Sequence, residues 1–501
     1  MKDSPTLDRR EVLRLLSSMP LVAGTVATGF GALLTKSSQA QESIAGEAPE
    51  WAGALSQYIT TSQQAPLPEE VRELARRHIL DSLAAAVACR DLAPAVLARK
   101  YTAVQSGGAK VATILATNEK RSLLDAIFAS GMTVHGAEIN DFCPSAFTQP
   151  GASIIPVTMG IGEVNKISGE EILRAVVVGY EITCRLPKAL GIGNMRRATL
   201  ANHSVGPTFG SAAAAASLLR LKAEQIPDLL SYCVQQASGS WHWLRDIEHV
   251  EKAFVFGGMP ARRGAECALM VDAGFTGIDN VFEGSPGWLA SSIFTSPDSD
   301  FDANYLTEKL GERFELPLVG YKRYPVGGPT QPVIDLMLGF VKELPRDKIR
   351  HVRIEMPGRT GAFSGAEMPA LNLRYLCSII IADGKLDFIA AQSRERFLTD
   401  TAINAFMNNV EVIHDPAQEA VPRVESARVI LTMNDGTKHE RFLDHVKGFP
   451  AHPFDRQDVE DKALELVGPQ LGKAKAQQLC ATAWQLEKVK DVRELITMIA
   501  S

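Results

Sequence analysis

The 501-residue sequence predicts a mainly α protein: an all-helical domain built from the N- and C-terminal parts of the chain, with an inserted α+β lid domain between them. Three observations predict this. Apolar residues recur at helical spacing from 51 to about 270, they alternate between about 346 and 445, and helical spacing returns after Pro453. The division is 51–270 for the first helical part, 271–445 for the lid and 446–501 for the closing helical part, in keeping with roughly 150 residues per domain.

Each element has a local cause. Pro68-Glu69-Glu70 sets a proline and two acids where a helix start favours them, and Val71, Leu74, Ala75, His78 and Ile79 follow at helical spacing. Ser122 precedes an apolar helix over 123–134, and Ser168 with Glu171 forms a capping box ahead of Ile172 and Leu173. Pro207-Thr208 lead into SAAAAASLLRL over 211–221. Five consecutive alanines favour helix and carry no bulk, so this helix is expected to be central, with neighbours close to its backbone. In the lid, Val352, Ile354 and Met356 alternate, as do Ala427, Val429, Leu431 and Met433, the second run ending in the hairpin signal Asn434-Asp435-Gly436. Asp455 with Asp458 restarts helices over 459–467 and again from 473 onward.

Composition excludes several function classes. An apolar fraction of 46% with 22% charged residues is that of a globular chain, neither disordered nor polytopic. Lysine and arginine total 52 against 58 acids, a net charge of -6, so no basic field exists for nucleic acid. Seven cysteines with no C-x-x-C pair read as buried small hydrophobes.

Residues 7–16 read LDRREVLRLL, an apolar and small-residue run follows over 19–34, and Ser38-Gln39-Ala40 closes it, the layout of an export signal over 1–40. The run is shorter than the ~20 residues that cross a bilayer, so no stable membrane anchor is expected. Arg9-Arg10, with Leu13 three residues on, resembles a twin-arginine signal, which predicts a periplasmic protein exported already folded and suits reduced cysteines. The segment holds five basic and three acidic residues, so the remainder carries -8.

No phosphate-binding G-x-x-x-x-G-K-[ST] loop, H-E-x-x-H or G-x-S-x-G motif is present, and the ten histidines form no i, i+4 pair. No metal cofactor is implied, and nucleotide binding loses support. What remains is polar density at loop positions. The stretch over 134–156 gathers His135, Glu138, Asn140, Asp141, Thr148 and Gln149, and His203 stands ahead of the alanine helix. Lys252 with Arg262-Arg263, and Lys322-Arg323-Tyr324, are cationic segments interleaved with glycine and proline. One base and several cations suit an anionic substrate that loses a proton beside a carboxylate, because the resulting enediolate needs positive charge.

The order of six segments resembles the MmgE/PrpD family of 2-methylcitrate dehydratases, cis-aconitate decarboxylases and iminodisuccinate epimerases. They are ASGMTVHGAEINDF, VVVGYEITCRLPKALG, the stretch from His203 through the alanine helix, GAECALMVDAGFTGIDNVFEG, YKRYPVGGPTQPVID, and AEMPALNLRYLCSIIIADG followed by HDPAQEAVPRVESARVILTMNDG. The resemblance implies a homodimer without cofactor, with a site in the cleft between helical domain and lid. It implies that Glu138 and Asp141 stand in the family's acidic cluster, that His203 is the base, and that Lys252, Lys322 and Tyr324 occupy the family's lysine and K-x-Y-P positions.

The departures are specific. Gln149 replaces the histidine of an H-P-[SG]-G-A turn, removing a group that titrates, Phe142 stands where a hydroxyl is common, and Gln331 stands where many members have a second lid histidine. The expected function is a cofactor-independent lyase or epimerase acting on a small polycarboxylate by dehydration, decarboxylation or epimerisation; the alternative is a non-catalytic exported carboxylate-binding protein. His203 is the expected base, Lys252 and Lys322 the enediolate and carboxylate partners, Tyr324 a donor, and Glu138 and Asp141 the groups orienting His203 or the substrate. Gln149, Arg262, Arg263 and Gln331 are expected to bind substrate, with Arg323 lining the same cleft.

Overall fold

Both the N-terminal and the C-terminal halves of the helical body are in place in a computed structural model that describes residues 50–105, 107–282, 287–419 and 425–500. The expected export signal lies outside the described residues, and no described helix is long and apolar enough to cross a membrane. The main helices are α1 (Trp51–Thr61), α2 (Glu69–Cys89), α3 (Leu123–Val134), α4 (Gly151–Asn165), α5 (Gly169–Leu190), α6 (Asn202–Leu219), α7 (Met259–Asp272), α8 (Gln331–Glu343), α9 (Leu373–Asp383) and α10 (Arg456–Leu471). Ser122 caps α3 by accepting the Asp125 N–H, and Ser168 and Glu171 form the expected reciprocal box at α5. All seven cysteines are buried free thiols.

The alanines of α6 do what their size allows. Ala212 to Ala216 are at most 2% exposed, and glycines on both sides bring backbones into contact. A Cβ on Gly210 would sit 2.0 Å from Thr183 Oγ1 and 2.4 Å from the Gly179 carbonyl of α5, and one on Gly264 of α7 would sit 2.5 Å from the Thr208 carbonyl. Gly210→Ala should therefore destabilise the protein by about 1–3 kcal/mol through overpacking, outweighing the gain of about 1 kcal/mol in helix propensity. A urea midpoint that rises in this variant would contradict the close approach.

The helix begins earlier than its proline suggests. Residues 202–206 are helical, so His203 lies in the first turn of α6, and Pro207 inside it supplies no N–H to the His203 carbonyl.

The strands β1 (Ile349–Met356), β2 (Val410–His414), β3 (Ala427–Met433) and β4 (Lys438–Leu443) form one sheet in the order β2-β1-β3-β4. β1 pairs in parallel with β2 and antiparallel with β3, while β3 and β4 form the hairpin expected at Asn434-Asp435-Gly436, with Gly436 at φ 87°. Inward residues of β1 and β3 pack under α8 and α9 in a core running from Val326 to Met433. The other core runs from Trp51 to Tyr321 and from Phe454 to Ile499. Phe282, Phe294, Leu306 and Leu316 belong to that helical core, so residues 287–321, expected at the start of the lid, pack with the helices instead. They lack the alternating pattern that sheet packing requires. The closing helices are tied to the loop after α3: Lys462 Nζ of α10 donates to Asp81 Oδ1 at 2.6 Å and to the Ile139 carbonyl at 2.7 Å.

Candidate active site

α3 ends at His135, and the loop from there to α4 is held from three sides. Asp141 accepts from the Gly151 N–H at 3.1 Å and the Tyr180 hydroxyl at 2.6 Å, and faces His78 Nδ1 at 3.2 Å. Phe142 and Gly320 exchange backbone hydrogen bonds of 3.0 and 2.8 Å, which brings Lys322 against Glu138. On the third side, Phe254–Gly258 is a π-turn between two α-helical segments, and a Cβ on its Gly257 would lie 2.2 Å from the Gly131 carbonyl. Only glycine permits that approach, which delivers Lys252 and Phe256 to the same place.

Glu138 is 1% exposed, and cations converge on it. Lys322 Nζ donates to Glu138 Oε2 and to Gln149 Oε1, each at 3.0 Å, and Lys252 Nζ pairs with Glu138 Oε1. His249, held in the left-handed region at φ 62°, places Nε2 3.1 Å from Oε1. The carboxylate only accepts, so His249 carries its hydrogen on Nε2, leaving a buried Nδ1 with no partner among the described residues. Burial alone would raise the Glu138 pKa, but Lys252 and Lys322 outweigh it and hold the carboxyl well below its ordinary range. One carboxylate against two ammonium groups leaves the cluster net positive.

His203 faces this cluster. It stacks on Phe256 with ring centroids 4.1 Å apart and meets the edges of Trp241 and Trp243, each at 5.0 Å. Its Nδ1 is buried without a partner among the described residues. Burial first, then Lys252, pushes its pKa well below the ordinary histidine value, so the ring is neutral at pH 7 and able to accept a proton. His203, Glu138, Gln149 and Lys252 line a cavity of about 940 Å³ between the two cores.

His135 and His249 are also pushed down by burial, and this fixes a pH dependence of stability. Each of the three imidazoles binds a proton in the unfolded chain below about pH 6.5 but not in the fold, so stability is complete above that value and falls as pH drops from it toward their lowered folded values. The slope is up to about 1.4 kcal/mol per pH unit per histidine. Glu138 adds to the loss only below the ordinary glutamate range. Urea midpoints should fall from pH 7 to pH 5.5, and replacing all three histidines by glutamine should flatten the curve; an unchanged slope would contradict their burial as neutral rings.

Several expected site residues stand elsewhere. Asp141 is spent on Tyr180 and the start of α4 and does not touch His203; nor does Glu138, whose partners are the lysines and His249. Tyr324 donates to Asp335 at 2.6 Å, and Gln331 braces the turn it belongs to, accepting the Tyr324 N–H and donating to the carbonyls of Tyr324 and Val326. Arg262 pairs with Asp125, Arg263 bonds Gln236 and Ser238, and Arg323 pairs with Glu465, so none of the three joins the lysines. Each found a partner that sequence spacing did not reveal. The residues missed are Trp241, Trp243, Phe256 and His249 and the cavity-lining Arg196 and Arg359. The signal for the first group was visible in WHWLRDIEH over 241–249, an unusual aromatic and histidine density.

Ligand-type atoms of His135, Glu138 and His249 lie within 4.8 Å of one another, a spacing that a metal ion could use. Both Glu138 oxygens already face ammonium groups, however, and a divalent cation there would meet their repulsion at full strength in a buried site. The arrangement suits an anion.

Two family models match the chain: the MmgE/PrpD N-terminal domain over residues 53–301 and the MmgE/PrpD C-terminal domain over 324–487, the second starting where the chain passes from one core to the other. Cis-aconitate decarboxylase of Homo sapiens is 22% identical over 451 residues, spanning 86% of this chain and 91% of that protein. The Mus musculus cis-aconitate decarboxylase is 22% identical over 396 residues, spanning 75% and 78%. With matches to both domains in order and a helical body carrying a sheet-based insertion, the chain belongs to the MmgE/PrpD family.

Proposed function

We propose that the protein is a cofactor-independent enzyme that takes a proton from the carbon beside a carboxylate of a polycarboxylate substrate. The observation that carries this reading is a neutral His203, its Nδ1 without a partner among the described residues, on the wall of a cavity that Glu138 and Lys252 also line, with the buried Lys322 behind Glu138 making the cluster net positive. A substrate carboxylate at the Lys252 ammonium, in the field of Lys322 behind it, has a more acidic α-hydrogen; His203 removes that hydrogen, and the two positive charges stabilise the enediolate. Burial is the larger cause of the lowered His203 pKa, but a bound anion offsets the Lys252 part of it, so the base strengthens when substrate is present.

The enediolate can expel a β-leaving group, which departs with the proton His203 took; in a decarboxylation a carboxylate leaves as CO2 without prior deprotonation, and the carbanion left takes a proton from His203 that solvent has protonated. Among the described residues lining the cavity, His203 is the single imidazole, and Gln149 cannot titrate. A one-base site of this kind suits a lyase better than an epimerase, which uses a second base on the opposite face. Kinship with cis-aconitate decarboxylases points the same way. Export through the twin-arginine route belongs to the same proposal, supported by Arg9-Arg10 ahead of the apolar run and by seven unpaired cysteines, and so does a homodimeric state, which rests on the family alone.

The test is incorporation of solvent deuterium into citrate, methylcitrate, cis-aconitate and iminodisuccinate. Exchange into at least one acid is the expected result, whereas thermal stabilisation by these acids without exchange would identify a binding protein.

A further inference from the structure

The cavity is larger and more apolar than a compact polyacid requires. About 940 Å³ lies near the top of the roughly 300–1,000 Å³ range of sites for drug-sized ligands. Its walls carry Phe142, Phe147, Trp241, Trp243, Phe256 and Phe363. Beyond this aromatic wall stand two more cations, Arg196 from the short helix Ile192–Arg197 and Arg359 from the segment after β1.

Neither arginine has an ion-pair partner among the described residues. The Arg196 guanidinium carbon lies 4.8 Å from the centre of the Phe147 ring and 5.5 Å from that of Trp241, so aromatic faces hold it in place of an acid. Arg359 is its cationic neighbour: burial, then the charge of Arg359, pull the Arg196 guanidinium below its ordinary value. Two acids also line the cavity, but they are engaged. Glu419 accepts from His414 and from the Gly358 N–H, both at 2.8 Å, and Glu425 faces His445 Nδ1 at 3.1 Å. Two guanidiniums on the wall of one cavity, neither ion-paired among the described residues, form a site for an anion from outside.

Trp241 sets the spacing. Its ring centroid is 5.0 Å from that of His203 and 5.5 Å from the Arg196 guanidinium carbon, so one indole touches both the base and the second cationic site. We propose that Arg196 and Arg359 form a second anion-binding site, and that the substrate is an elongated dianion. One carboxylate sits at Lys252, with Lys322 behind it, an apolar segment lies along the aromatic wall, and a second oxyacid group, carboxylate or phosphate, reaches the arginines. This rests on the reading of the Lys252–Lys322 cluster as the reacting-carboxylate site.

The test is equilibrium binding of matched probes: adipate, suberate and azelate, the monocarboxylates hexanoate, octanoate and nonanoate, and 8-phosphonooctanoate. The wild type should prefer a dianion of suberate length or longer over the matched monocarboxylate by about tenfold or more, and Arg196→Gln/Arg359→Gln should reduce that preference to near unity. The stronger of azelate and 8-phosphonooctanoate identifies the second group. Circular dichroism of the ligand-free double variant checks that the fold is kept, and single variants serve if it is not. Equal binding of mono- and dianions by the wild type, no binding of any dianion, or an undiminished preference in the variants would overturn the proposal. Loss of α-proton exchange in the wild type would instead overturn the functional reading, so the two failures are distinct.

Discussion

Glu138→Gln should lower the unfolding free energy by about 3–5 kcal/mol, the cost of breaking a buried ion pair from one side. The substitution keeps shape but turns one accepting oxygen into a donating NH2, so it removes the charge and leaves one facing donor without its acceptor. Lys252 and Lys322 are 3% and 0% exposed, and Glu138 is the carboxylate both ammonium groups touch. Without it, two like charges face each other away from water. Burial already pulls Lys252 below the ordinary lysine range, with Glu138 opposing the pull, so the variant should relieve part of the strain by releasing the Lys252 proton. An alkaline limb in the pH profile should accordingly move to lower pH. Urea unfolding at pH 7 measures the stability term, and adding Lys322→Met to Glu138→Gln should recover part of it by removing the second charge. A loss below about 1 kcal/mol would place the pair among weakly coupled surface bridges and contradict the buried cluster.

His203→Gln has the opposite profile: a large effect on turnover and a small one on stability. A positioned general base contributes roughly 10²–10⁴-fold, and among the described residues of the cavity wall nothing else can replace an imidazole. His203 makes ring contacts to Phe256, Trp241 and Trp243, and its Nδ1 satisfies no described group, so the fold loses packing contacts but no buried hydrogen bond at that atom. Turnover with the authentic substrate is compared with near-ultraviolet dichroism, which reads the two indoles beside the ring. A variant that unfolds, or one with unchanged turnover, would remove His203 from the base role.

Helix starts and the hairpin were legible because they depend on neighbours in sequence. Ser168 and Glu171 form their box three residues apart, and Asn434-Asp435-Gly436 makes its turn locally. The central helix was legible because five alanines can serve only where backbones meet. The site was legible in part. Glu138, His203, Lys252 and Lys322 were singled out and do come together, but their relation was not: Glu138 holds the lysines rather than the histidine. Which cations face the cavity depends on partners far along the chain, and Asp125, Ser238 and Glu465 capture Arg262, Arg263 and Arg323. Arg196 and Arg359 came from segments with no motif at all. Gln149 reads in sequence as a lost proton donor, whereas in the fold its amide oxygen holds Lys322 at 3.0 Å.

The proposed function turns on one step, removal by His203 of a proton from the carbon beside a carboxylate held at Lys252. The most direct measurement is the rate of solvent deuterium incorporation at that carbon, followed by proton NMR for the wild type and His203→Gln side by side. The account predicts exchange by the wild type and a rate at least about 100-fold lower in the variant. Equal exchange by the two proteins would contradict it.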